Sequence, residues 1–169
     1  MPVAITPRQS LRVLKTWVIF GTLLLAGSVN SATCNIASAV LSFGSYDGLA
    51  PADNLSPGVV RVSCTKNAAL LSEVVTATLQ LMPSTPGSVA SRKLDSGASE
   101  LPFDIYTDLL RTRLWGDGTM GTFTITGVVT LTAVNATQVV EFPIYGRIPT
   151  RRSSPAGAYT GQFMITLRF

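Results

Sequence analysis

The sequence predicts an all-β protein, an antiparallel sandwich of roughly seven strands. Three observations predict it. Short runs rich in β-branched and aromatic residues alternate apolar with polar at a period of two. Clusters of Gly, Pro, Asn and Asp break those runs about every 8 to 12 residues. Helical periodicity is almost absent, and its one candidate, KNAALLSEVV, is short and flows into a strand. The 169 residues, 46% of them apolar, suffice for one domain with a packed core.

The first segment stands apart from that core. MPVAITPRQSLRVLK carries Arg8, Arg12 and Lys15 without an acid, WVIFGTLLLA is wholly apolar, and GSVNSA offers small residues for a signal peptidase. Residues 1–31 therefore read as a secretory signal peptide and residues 32–169 as the domain. The apolar run is too short for the ~20 residues that cross a bilayer. Cleavage fits after Ser28, with Ala26 at −3, or after Ser31, with Val29 at −3; either leaves at most five residues before Cys34. Removing the leader takes three of the thirteen basic residues, leaving ten against nine acids and a net charge near +1. A polyanion partner is not implied, and no nucleic acid is expected. RIPTRR, with Arg147, Arg151 and Arg152, is the one basic cluster, and it lacks interleaved aromatic rings for stacking.

The strands run in order along the chain. CNIASAVLSFGSYDG opens with a strand broken by small residues. GVVRVSCT, 58–65, sets Val60, Val62 and Cys64 against Val59, Arg61 and Ser63, and VVTATLQLM, 74–82, puts Val75, Ala77, Leu79 and Leu81 on one side. After the PSTPGS turn, SRKLDSGASE reads as a hairpin region leading into LPFDIYTD, 101–108. TFTITGVVTLTAV, 122–134, and TQVVEFPIYGRIP, 137–149, are the next strands. YTGQFMITLRF, 159–169, alternates again: Tyr159, Gly161, Phe163, Ile165, Leu167 and Phe169 share a face, predicting a half-buried strand.

Cys34 and Cys64 remain after export, and an oxidising compartment favours a disulfide between them. A free pair or a metal site is the alternative. The chain has no histidine, and two thiolates do not fill a zinc shell.

No catalytic constellation is present. The missing histidine removes the commonest base and metal ligand. Asp104 and Asp108 are four apart, which on a strand leading into a turn does not bring two carboxylates together. Asp47, Asp95 and Asp117 each stand beside or near a glycine and read as turn formers. Trp115 to Gly118, WGDG, lacks the length and helix context of a phosphate loop. Asn54 and Asn135 head sequons placed in exposed loops. Neither enzyme activity nor a cofactor is expected.

Taken in order, CNIASAVLSFGSYDG, VRVSCT, SRKLDSGASELPFDIYTDLLRTRLWGDGT and FPIYGRIPTRRSSPAGAYTGQFMITLRF resemble the spore coat protein U domain, the module of archaic, Csu-type chaperone-usher pilins. The carrying elements are the first Cys followed by FG-x-Y-D, the second Cys ending a short strand, the Leu-x-Phe-x-Ile-Tyr strand running into RTRLWGDGT, YGRIP, and Gly-x-Tyr before the last strand. Thr160 stands where many members carry Asp, on the polar side of that strand.

The resemblance implies an incomplete immunoglobulin-like antiparallel sandwich, completed by a donor strand from a partner. The implied partners are a periplasmic pilus chaperone, an outer-membrane usher and a neighbouring pilin subunit that donates its N-terminal extension. Tyr159, Gly161, Phe163, Ile165, Leu167 and Phe169 would form the groove. The chain would be a pilus subunit carried through the periplasm to the cell surface, with a role in adhesion or biofilm formation. The short stretch before Cys34 implies a subunit that accepts a strand without donating one, hence a terminal position. Two alternatives use the same fold: a free-standing secreted sandwich binding sugar or protein through RIPTRR or the Trp115 turn, and a surface-coat protein without a fibre.

Overall fold

The computed structural model describes residues 32–67, 72–83, 92–97, 99–152 and 154–169. The expected leader, its expected cleavage sites and most of the PSTPGS turn lie outside the described residues. Among the described residues eight strands are present: β1 (Ala32–Leu41), β2 (Asn54–Lys66), β3 (Glu73–Leu81), β4 (Arg92–Asp95), β5 (Glu100–Tyr106), β6 (Ile125–Leu131), β7 (Thr137–Ile148) and β8 (Ile165–Arg168). No helix occurs among the described residues. The ends of KNAALLSEVV fall in β2 and β3.

Two sheets form the sandwich. The larger has the order β1-β2-β7-β5-β4 and the smaller β6-β3-β8, with all strand pairs antiparallel. The expected hairpin is the β4–β5 pair, which raises the strand number from the roughly seven predicted to eight. Period-two alternation turns into layers as expected: Val60, Val62, Phe142, Ile144 and Ile105 point inward from the large sheet, and Val75, Ala77, Leu79, Leu81, Val129 and Leu131 from the small one. At about 1.5 to 3 kcal/mol per buried large aliphatic or aromatic side chain, this layer is the main favourable term for the fold.

Two departures from simple alternation shape the molecule. In β1 the register slips between Ile36 and Ser38, where the sequence supplies only small residues. A β-bulge of this kind reverses the parity of the rest of the strand. Val40 therefore faces outward and is exposed, while Leu41 turns toward the core. In β6, Gly127 faces the ring of Phe142, and a Cβ there would come within 2.5 Å of it. The missing side chain lets the two sheets approach.

The disulfide Cys34–Cys64 is formed, and it joins directly paired positions of β1 and β2.

Candidate functional site

The long segment 107–124 closes one side of the sandwich. Tyr106 bridges Leu114, Trp115 bridges Phe123, and the Trp115 amide donates to the Ile105 carbonyl at 2.8 Å. The Trp115 ring is fully buried, with its indole N–H donating to the Leu79 carbonyl at 3.2 Å. The WGDG turn is thus a plug holding β3 to β5, and its tryptophan offers no recognition face to a ligand. Arg113 lies over the Phe123 ring, 4.4 Å from its centroid.

Charged groups are placed structurally. Arg147 sits between Asp53 (3.7 Å) and Asp104 (3.8 Å), so one of the three arginines of RIPTRR is already matched with acids. Asp108 accepts bonds from the Thr112 and Arg113 amides, well apart from the role of Asp104. Asp47, Asp95 and Asp117 accept the amides of Leu49, Gly97 and Thr119, as turn formers do. Arg92 is buried, 3% exposed, and donates to the Trp115 carbonyl at 2.9 Å. Burial lowers its pKa from the usual value, opposed by the nearby Asp104 carboxylate. Among the described residues no cluster of His, Cys, Asp or Glu is arranged to hold a metal ion.

Of the two sequons, Asn135 occupies an exposed turn at φ 59°. Asn54 is instead the first residue of β2: its side-chain Nδ2 donates to the Ser45 carbonyl at 3.0 Å, and Ser56 is buried. The loop expectation for Asn54 fails because the strand begins earlier than its apolar alternation does.

The notable concavity has an apolar floor and a partly polar rim. A cavity of about 780 Å³ opens at one end of the sandwich, between the large sheet and the segment 154–163. Its floor is Leu94, Leu101 and Phe103 of the β4–β5 hairpin with Ile148 of β7, and Leu41 and Phe43 form one wall. Phe43 reaches this place because Gly146 has no side chain; a Cβ there would meet the Phe43 ring at 2.6 Å. The ring then packs edge-on to Phe103 at 5.7 Å.

Tyr159, Gly161 and Phe163 line the opposite wall. Thr160 exchanges backbone hydrogen bonds with Asp95 at 2.7 and 3.0 Å, adding one residue to the outer edge of β4. Gly161 is required next, because a Cβ would press on Leu94 Cδ2 at 2.9 Å and the Lys93 carbonyl at 3.1 Å. The chain then leaves the large sheet and joins the small one, where Ile165–Arg168 pair with Leu81–Thr78 of β3.

The predicted terminal strand is therefore two pieces. Its six same-face residues divide: Tyr159, Gly161 and Phe163 at the cavity, Ile165 and Leu167 half-buried in β8, and Phe169 beyond the strand with 55% exposure. β8 is an edge strand, bound to β3 on one side only, and among the described residues its other edge is unpaired. It covers only the Thr78–Leu81 half of β3. The edge strand of the large sheet that approaches it is β1. An unpaired main-chain edge beside partly buried apolar side chains can accept an extended segment, with backbone bonds giving affinity and alternate side chains giving fit.

The part played by loop 42–48 is not legible in the sequence. The signal that points to it is Gly146, whose missing side chain admits Phe43.

A family model described as the Spore Coat Protein U domain matches residues 20–166. No curated protein matches the chain.

Proposed function

The chain belongs to the Spore Coat Protein U domain family, and from that premise we propose that it is a structural subunit of a chaperone-usher surface pilus, completed by a strand from another molecule. The observation that carries this reading is β8: four residues long, unpaired on its outer edge among the described residues, and with Ile165 and Leu167 only partly buried against the core. Family members include pilus subunits of this kind, and no activity is needed to account for any cluster of residues. A periplasmic chaperone would supply the strand first, and the N-terminal extension of a neighbouring subunit would replace it at the outer-membrane usher.

The gain from such a strand is bounded by what is left exposed. Phe163, Ile165 and Leu167 are already half-buried, so covering them yields less than the ~1.5 to 3 kcal/mol of a fully buried side chain. Main-chain pairing along β8 carries the rest.

Replacing Ile165 or Leu167 by Asp tests the reading, because an unpaired carboxylate would have to enter an apolar slot. Co-expression with the cognate chaperone should then recover no complex, and undiminished recovery would remove β8 from the acceptor site.

A finer reading is a terminal, strand-accepting position suited to adhesion or biofilm formation. It rests on a leader cut after Ser28 or Ser31. The family match reaches back to residue 20, so the mature N-terminus decides the matter. A start at residue 29 or 32 leaves no donor arm, whereas a start near residue 20 makes the protein a shaft subunit. Sequencing the N-terminus of the surface protein distinguishes them.

A further inference from the structure

Among the described residues four strands lie at sheet edges, and three of them carry a device against pairing with another chain. β1 has the bulge between Ile36 and Ser38. β4 is RKLD, charged at three of four positions and tied to Thr160 at its end. β8 has four residues, one of them Arg168. β6 carries no such device. ITGVVTL has no charge and no proline, its pairing with β3 runs without a register shift, and its outer edge is unpaired among the described residues.

Its sequence is also nearly symmetric about Val128. Ile125 mirrors Leu131 and Thr126 mirrors Thr130. An antiparallel twofold pairing sets each residue against its mirror, so Val128 faces its own copy and a charge at that position would face an equal charge. From Gly118 to Val140 the chain has none.

We propose that β6 is a second strand-pairing edge whose partner is β6 of another copy of this chain, the two running antiparallel about a twofold axis at Val128. The pairing joins two three-stranded sheets into one. On its solvent face, Thr126–Thr130 pairs flank the two Val128 side chains, each 59% exposed in the single copy. The contact is isologous and closes at a dimer. It uses neither β8 nor the cavity, and it stands whether or not those accept a donor strand.

The test uses the full mature chain carrying Val128→Cys. The two native cysteines are bonded to each other, leaving the new thiol alone. Opposed residues of an antiparallel ladder have Cα atoms about 4.5 to 5.5 Å apart, within disulfide reach. Mild oxidation should give a covalent dimer. Thr76→Cys, paired with Val128 but one strand inward, should stay monomeric under the same conditions. Val128→Lys, at a solvent-facing position, should keep the wild-type circular dichroism and lose the dimer in sedimentation. Equal crosslinking of Val128→Cys and Thr76→Cys, or identical sedimentation of wild type and Val128→Lys, would overturn the proposal.

Discussion

Asp117 accepts hydrogen bonds from the Thr119 hydroxyl at 2.7 Å and the Thr119 amide at 2.9 Å, and these hold its pKa below the ordinary carboxylate value. The unfolded carboxylate titrates near about 3.9. The stabilisation is thus present above that value and disappears as pH falls through the lower folded pKa. Asp117→Asn should be less stable at neutral pH, and its melting temperature should drop less than that of wild type between roughly pH 6 and pH 3. Parallel melting curves across that range would contradict the assignment. The role of this residue is legible in the sequence, since an aspartate before glycine in a turn has a local cause. The burial of Trp115 beside it is not, because only the folded positions of β3 and β5 create its pocket. The disulfide makes a second prediction at this scale. Cys34→Ser opens a loop of 30 residues, costing about 3 to 4 kcal/mol on the entropic model, and should reduce the yield of exported protein. Equal thermal stability of wild type with and without reductant would count against it. For the sheet-to-sheet approach, Gly127→Val should overpack Phe142 and cost about 1 to 3 kcal/mol in chemical denaturation.

Elements whose pattern depends on one sheet face are legible in the sequence; those that bulge or change sheet are not. β3 and β7 keep a single parity throughout, and their inward residues follow from alternation alone. β1 inserts an extra residue, which exchanges the faces of everything after it, and small residues such as Ala37 and Ala39 carry no strong hydrophobic signal to mark the slip. Residues 159–169 keep perfect alternation while passing from β4 to β3, and a period of two is blind to which neighbour a backbone bonds. The shortness of β8 has a measurable consequence. The amides of residues 165–168 should exchange with deuterium far faster than those of β2 or β7 in the uncomplexed protein, and slow markedly when a chaperone or donor strand is bound. Slow exchange in the free protein would mean that the edge is already covered.

At the scale of the whole molecule, a partner that binds only the folded form raises stability by mass action. A donor segment of about ten residues with alternating large apolar side chains, supplied at ~100 times its dissociation constant, should add about 2.7 kcal/mol. Its scrambled counterpart should add nothing, and calorimetry reads both. The site is half visible in the sequence: the terminal apolar face declares itself, but the wall made by Leu41 and Phe43 depends on long-range placement beside Gly146 and Ile148. Those two segments are far apart along the chain, and no local rule links them.

The bond between Cys34 and Cys64 has a mechanical side. β2 is an inner strand, flanked by β1 and β7. A tug arriving from ahead of Ala32 meets the bridge after two residues and passes covalently into that inner strand. Residues 35–63, enclosed by the bridge, cannot be reeled out as slack. Under tension the domain should yield by shearing β2 from β7, a steep and brittle failure, instead of peeling open from its first strand.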